Sequence, residues 1–326
     1  MQKAILYISK MRRTIITDIK QLSIKIEGLW REANVFDWEL KPDVNILSGA
    51  NGSGKSTILR ILYFILTGNE NKLRKLYDYE DGGGEYCFYE FYRIELLLNK
   101  SRYNASTFWF QDPNPEAISH LTIDFFASLD QQAVSREDIQ AVSKNNTNIR
   151  SQIDFDLYHH QIQYTKYLLS IAKRAEKTYA NGDNIAAKLK EIYAQKTLFF
   201  DMIDGLFAET DKKIDRESDE LQFIKGKNTP LSVYDLSSGE KQMLLILLKS
   251  LLQDNKPSIY LLDEPEISLH PDWQENLIDN IRLLNPTVLL IIATHSPDMI
   301  VNGWLDKVLD MRELLIPLIP EIQHES

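Results

Sequence analysis

Residues 49–56 read Gly49-Ala50-Asn51-Gly52-Ser53-Gly54-Lys55-Ser56, with the apolar stretch Val44-Asn45-Ile46-Leu47 before them. Behind them, Ile58, Leu59, Ile61, Leu62 and Ile65 recur at helical spacing. A G-x-x-x-x-G-K-[ST] loop between a strand and a helix is a cradle for a polyphosphate. Its glycines let successive backbone N–H groups turn inward, and the helix N-terminus adds partial positive charge. Asn51, Gly52, Ser53, Gly54 and Thr57 are the expected lining of that cradle. Lys55 would reach the β- and γ-phosphates, and the Ser56 hydroxyl would complete a Mg²⁺ shell.

A second block lies two hundred residues downstream. Ser258-Ile259-Tyr260-Leu261-Leu262-Asp263-Glu264-Pro265 sets two acids at the end of a short apolar run. Another such run follows at Val288–Ile292. Short continuous apolar runs suit parallel strands buried on both faces, and alternation with helices points to an α/β sheet. Ligands of open α/β sheets bind at the carboxyl ends of the strands. Asp263 is therefore expected to hold the metal directly or through water. Glu264 is expected to orient and deprotonate a water for in-line attack on the γ-phosphate.

The composition leaves room for this reading and removes others. The chain has 326 residues, 37 Lys+Arg against 47 Asp+Glu, and a net charge of −10. With 44 % hydrophobic and 26 % charged residues it resembles an ordinary globular protein large enough for a sizeable core. The single cysteine, Cys87, cannot form an internal disulfide, which fits a reducing compartment and a cytoplasmic location. No apolar run approaches the roughly 18 residues needed to cross a bilayer, so no membrane is expected as a partner. Two small basic groups, Lys10-Arg12-Arg13 and Lys72-Arg74-Lys75, read as solvated faces, so DNA is possible as a partner but not indicated by charge.

The first 48 residues carry strand signals at Ser23–Leu29 and Val35–Leu40, and more follow at Tyr86–Leu98 and Leu121–Phe126. The Asp78–Gly84 segment reads as a turn. The middle changes character. Tyr158–Tyr179 and Ile185–Phe207 carry helical apolar spacing, split by Asn181-Gly182-Asp183. They form either an αα-hairpin that projects as an arm or two ordinary core helices.

The remaining motifs are Leu236-Ser237-Ser238-Gly239-Glu240, Glu266-Ile267-Ser268-Leu269-His270-Pro271 and Ala293-Thr294-His295-Ser296-Pro297. Ser237 and Glu240 make an S-x-x-E capping box before an apolar helix. Taken together with the loop and the paired acids, these stretches resemble the ABC-type P-loop ATPases. The LSSGE and SLHP forms resemble the branch of chromosome-maintenance (SMC), RecF-like and OLD-type proteins rather than the transporters. The ATPase subunits of bacterial phage-defence systems such as PARIS are similar. The resemblance covers Val44–Thr57 and Leu236–Leu309.

That likeness implies an α/β head, with a mixed, largely parallel sheet flanked by helices and an inserted helical subdomain. Residues 1–135 and 231–326 would form the head and 136–230 the insertion. It implies Mg²⁺-dependent hydrolysis of ATP. Ser238 and Gly239 of one subunit would contact the γ-phosphate held by the other, so that ATP joins a homodimer, with higher oligomers possible. His295 would sense the γ-phosphate. Gln131, or its neighbour Gln132, would be the Q-loop residue that touches nucleotide and metal. A separately encoded effector, a nuclease or toxin, is the implied partner, because the tail beyond His295 carries no acid cluster of a nuclease. The alternatives are a DNA-repair or chromosome-maintenance ATPase that binds DNA directly and, further off, a transporter motor.

Overall fold

The computed structural model describes residues 19, 21–29, 34–69, 93–98, 101–106, 109–110, 121–126, 149–180 and 184–317. Gln131, Gln132, Cys87, both basic groups and the Asp78–Gly84 turn lie outside the described residues. The chain divides into two compact units, one of Arg13–Phe126, Pro257–Glu264 and Thr287–Ser326, the other of Met1–Arg12, Ala127–Lys256 and Pro265–Pro286.

In chain order the first half of the sheet unit runs β1 (Leu22–Glu27), β2 (Asn34–Leu40), β3 (Val44–Ser48), α1 (Lys55–Leu66), β4 (Arg93–Leu98), β5 (Ser101–Ser106), β6 (Trp109–Phe110) and β7 (Thr122–Phe126). The helical unit then supplies α2 (Gln152–Ala180), α3 (Ile185–Leu206), β8 (Lys212–Ile214), β9 (Phe223–Lys225), β10 (Thr229–Leu231) and α4 (Ser238–Leu252). The chain returns to the sheets as β11 (Ser258–Asp263), adds α5 (Pro271–Leu284) to the helical unit, and ends in β12 (Val288–Ala293), β13 (Val308–Asp310) and β14 (Leu315–Pro317).

The sheet unit holds two sheets. Five strands in the order β13-β3-β12-β11-β7 pair in parallel throughout. β11 and β12 are buried at every position, which is why both read as unbroken apolar runs. Six strands in the order β14-β2-β1-β4-β5-β6 form an antiparallel sheet. In β1 burial alternates, so Leu22, Ile24 and Ile26 face the core while Ser23 and Lys25 do not. Helix α1 packs on β11 and β12, and its Ile58, Leu59, Ile61, Leu62 and Ile65 join the core that includes Trp38 of one sheet and Ile291 of the other. The architecture is the expected mixed α/β fold with a largely parallel sheet flanked by helices.

In the helical unit α4 is apolar nearly all round, with Met243–Leu248 fully enclosed, as befits a helix at the centre of its surroundings. Helices α2, α3 and α5 pack against it, and α2 also packs on α3. α2 begins at Gln152, earlier than the apolar spacing suggests, because Asp154 Oδ2 accepts from the Arg150 N–H at 3.1 Å and the Ser151 N–H at 3.1 Å. Along α3, Phe199 and Ile203 are enclosed while Ile185, Leu189 and Ile192 on the same face are only half-buried. Burial on this face of α3 thus falls off from its last turns towards its start. No helix among the described residues is long and apolar enough to cross a membrane.

Candidate functional site

The loop after β3 turns on glycines. Gly49 has φ +148° and Gly54, which caps α1, has φ +92°. A Cβ on Gly49 would lie 3.0 Å from Ser53 Oγ and 3.1 Å from Met311 Cβ, so that position excludes a side chain by conformation and by space. Lys55 opens α1 and is only 4 % exposed. Its Nζ donates to the Gly49 carbonyl at 3.1 Å and the Ala50 carbonyl at 3.2 Å. His295 Nε2 lies 2.7 Å away. With the ammonium as donor, that ring nitrogen is the acceptor.

One helical residue on, Ser56 Oγ donates to Asp263 Oδ1 at 2.8 Å. Asp263 is the last residue of β11 and has no exposed surface. Its other oxygen, Oδ2, is buried without a hydrogen-bond partner among the described residues. Burial pushes the Asp263 carboxyl above its ordinary range, opposed by the Ser56 hydroxyl and the Arg60 and Lys55 charges. An enclosed carboxylate oxygen with nothing to answer it, beside a serine hydroxyl, fits a divalent cation. Among the described residues there is no group of three or more His, Cys, Asp or Glu suited to a metal. An ion on Ser56 and Asp263 would draw its remaining ligands from water and phosphate, which is the habit of Mg²⁺.

Glu264 follows at φ +48°, a left-handed conformation that a side chain rarely takes. Its N–H still bonds to the Ala293 carbonyl at 2.8 Å, so the parallel ladder runs one residue past the strand before the chain turns. Glu264 Oε1 lies 3.4 Å from His295 Nε2. Strain of this kind collects at functional sites. An open depression of about 200 Å³, lined by Ser48, Gly49 and Thr294–Pro297 among others, adjoins the loop. The structure therefore brings Lys55, Ser56, Asp263, Glu264 and His295 together, with Ser53 Oγ a further buried, unbonded hydroxyl beside them. Asn51 and Gly52 are exposed at the loop tip, and Thr57 lies in the first turn of α1.

Ser238 and Gly239 belong to the other unit. Ser237 caps α4, accepting from the Glu240 N–H at 3.3 Å while the Glu240 carboxylate accepts from the Ser237 N–H at 2.8 Å. Ser238 is exposed, whereas Gly239 is buried against the loop before α5. A Cβ there would lie 2.4 Å from the Ser268 carbonyl oxygen.

Several residues escaped sequence reasoning. Lys212 of β8 contacts both Glu240 oxygens at 2.8 Å. Lys241 pairs with Asp154 of α2 at 2.8 Å. Gln242, fully buried, donates to the Pro265 carbonyl at 2.9 Å, directly after the Asp263-Glu264 pair. Lys241 and Gln242 directly follow the motif, but Lys212 and the partners Asp154 and Pro265 lie far from them along the chain.

The fold and the loop define an ABC-type P-loop ATPase of the branch that includes SMC heads and RecF. The chain belongs to the family described as "AAA domain, putative AbiEii toxin, Type IV TA system", which matches residues 44–300. It is 22 % identical to the Septu protein PtuA of Bacillus thuringiensis, over 94 % of this chain and 80 % of that one. A retron Vc95 probable ATPase of Vibrio cholerae is 24 % identical over 41 % of this chain, which spans 32 % of that protein's length. The DNA replication and repair protein RecF of Clostridium botulinum is 23 % identical over 74 % of this chain and 69 % of its own. Among solved structures, the Smc head domain with an extended coiled coil bound to the C-terminal domain of ScpA, from Pyrococcus furiosus, superposes with a TM-score of 0.51 at 13 % identity. It covers 91 % of this chain and 95 % of that one.

Proposed function

We propose that the protein is a Mg²⁺-dependent ATPase that dimerises around ATP and thereby controls a separately encoded effector, a nuclease or toxin, in anti-phage defence. The observation that carries the ATPase reading is the Ser56–Asp263 hydrogen bond with Asp263 Oδ2 left buried and unbonded. Mg²⁺ held by these two residues would neutralise charge on the phosphates. Lys55 exchanges its His295 contact for a phosphate oxygen. Glu264 accepts the proton of the attacking water, and His295, one residue past β12, meets the γ-phosphate end of the nucleotide. Ser238, at an exposed helix N-terminus, and Gly239 offer donors to nucleotide held by a second copy. Gln131 or Gln132 completes the set.

The family's description names a toxin and a toxin–antitoxin system, and this supports a protein partner over a self-contained activity. The likeness to a replication and repair protein favours a second reading, direct DNA binding by the dimer. The two readings separate on salt. DNA affinity that falls steeply with ionic strength favours repair, and absent binding favours the effector.

The test compares wild type, Lys55→Ala and Glu264→Gln for ATP turnover and mass in solution. Lys55→Ala should fail to bind nucleotide and stay monomeric with ATP. Glu264→Gln should bind ATP, lose turnover by about a hundredfold or more, and accumulate as a dimer. Normal turnover by Glu264→Gln overturns the assignment of the base.

A further inference from the structure

A second cavity lies away from the phosphate loop. It is a cleft of about 480 Å³ in the helical unit, between α2 and the segments flanking β9 and β10. Its lining includes Tyr158, Gln161, Glu220, Gln222 and Tyr234, and contains no Lys or Arg. Gln161 is fixed there, donating to the Leu221 carbonyl at 3.3 Å and accepting from the Tyr234 hydroxyl at 2.9 Å. Glu217, Asp219 and Glu220 are exposed and form no ion pair among the described residues. Arg216, the cation within that run, is held instead by Asp201 at 2.7 Å and Asp204 at 2.8 Å. A phosphate or nucleic acid would meet only like charge in such a cleft. A cation between phenol rings and a carboxylate finds both its charge and its stem answered.

The outer face of α2 leads out of the cleft. Tyr158, Ile162, Thr165 and Leu169 follow one another at spacings of four, three and four residues, so they form one stripe. Ile162 is 41 % and Leu169 56 % exposed. Both are large apolar side chains on a helix whose buried face is already used against α3 and α4. A stripe at this spacing is the seam that accepts a second helix. Lys166 and Lys173 flank it, exposed and without an ion pair among the described residues. Strand addition at the neighbouring edge strand β10 is disfavoured, because Pro230 has no N–H to give.

We propose that the outer face of α2 and the cleft at its foot are the docking surface for an amphipathic helix of a partner protein. The partner's helix carries an apolar stripe against Ile162 and Leu169. Acidic residues on one flank face Lys166 and Lys173, and one basic residue at its end enters the cleft opposite Glu220. This deepens the effector reading above, on which it rests, by giving the effector a place to bind that shares no residue with the ATP site.

The test uses two fluorescein-labelled helical peptides of about 20 residues and the full chain without nucleotide. One has a leucine stripe, a glutamate flank and a terminal arginine; the other has the same stripe with these charges reversed. Anisotropy should show the first binding at least about tenfold more tightly. Leu169→Glu should weaken that peptide by about tenfold or more. Glu220→Lys should remove the preference for the terminal arginine. Glu191→Lys, the same charge change on α3 away from the cleft, should leave binding unaltered. Equal binding of the two peptides, or binding indifferent to Leu169→Glu, overturns the proposal. Because no ATP is present, failure of the turnover experiment on Glu264→Gln leaves this result standing, and the converse also holds.

Discussion

Lys55 Nζ and His295 Nε2 lie 2.7 Å apart, so the lysine of the loop is tied to the histidine that follows β12. The lysine also donates to carbonyls of its own loop, those of Gly49 and Ala50. An ammonium has three donors, and these contacts use all three. Arriving phosphate must replace at least one of them, and the histidine is the partner that can leave without unfolding the loop.

Replacing His295 with Ala should therefore spare ATP binding and remove turnover. The ring is tied to Lys55 and lies 3.4 Å from Glu264, so it bears on the groups proposed to handle the γ-phosphate rather than on the loop's shape. We expect kcat to fall by about a hundredfold, with ATP affinity unchanged or raised because Lys55 is released. Equilibrium binding and steady-state hydrolysis separate the two. A kcat close to wild type would remove His295 from the reaction.

His160 on α2 makes the stability of the helical unit depend on pH. Burial lowers its pKa to about 4, with the Lys249 charge acting in the same direction. Its Nδ1 lies 2.7 Å from the Asp156 carbonyl and donates to it. The folded pKa is below the unfolded value of 6.5, so the unfolded chain binds the extra proton first. This contribution is fully present above pH 6.5 and is lost as pH falls towards 4, amounting to about 3 kcal/mol at most. The neighbouring Asp156, raised by burial, acts in the opposite sense at low pH. The measurement is thus the difference between wild type and His160→Gln in urea unfolding at pH 7 and pH 5. The variant should show the shallower loss, and parallel losses would contradict the assignment.

Sequence reading succeeded wherever the determinant was local. The phosphate loop, the capping box Ser237–Glu240 and the all-apolar β11 and β12 are each contained within a few residues, and burial on both faces leaves no polar interruption to blur the strand pattern. It failed where the partner is remote. Nothing near Leu315 announces that it pairs with Phe36 at the edge of the antiparallel sheet. The start of α2 is not visible in apolar spacing because it depends on Asp154 accepting from two backbone N–H groups. At the site, Lys55, Ser56, Asp263 and Glu264 were legible from their motifs. The self-contained contact between Lys55 and His295 was not, since it needs β3 and β12 to be adjacent in the sheet.

The Lys212–Glu240 pair supports the cap of α4. Both side chains are shielded, at 12 % and 2 % exposure. Burial pushes the Glu240 carboxyl up, but hydrogen bonds from Lys212, the Ser237 backbone and Thr210 outweigh it and hold it below the ordinary range. Lys212→Met leaves that carboxylate with the cap and Thr210 alone, and should cost about 3 kcal/mol. Adding Glu240→Gln should recover part of the loss, because the stranded charge is then gone. Urea midpoints of the two single variants and the double variant form the cycle. Additive losses would mean that the two groups do not depend on each other.

Two glycines of the helical unit should respond to alanine with opposite signs. Gly205 lies in the last turn of α3 with nothing within 4 Å of an added Cβ, so Gly205→Ala restricts the unfolded chain and favours the helix. It should stabilise by about 0.5–1 kcal/mol. Gly239 lies in the first turn of α4, also helical, but its added Cβ would stand 2.4 Å from the Ser268 carbonyl. Ser268 is itself held at φ +69°. The loop cannot retreat without disturbing the Leu269 N–H bond to the Glu266 carbonyl at 2.9 Å, so overpacking should cost about 1–3 kcal/mol. ATP turnover should separate the two variants as well. Gly205→Ala should hydrolyse as wild type does, and Gly239→Ala should not, because the displaced loop begins at Pro265, next to Glu264. Thermal unfolding and hydrolysis measured on the same preparations decide this. A stable, fully active Gly239→Ala would mean that the approach of α4 to Ser268 is dispensable.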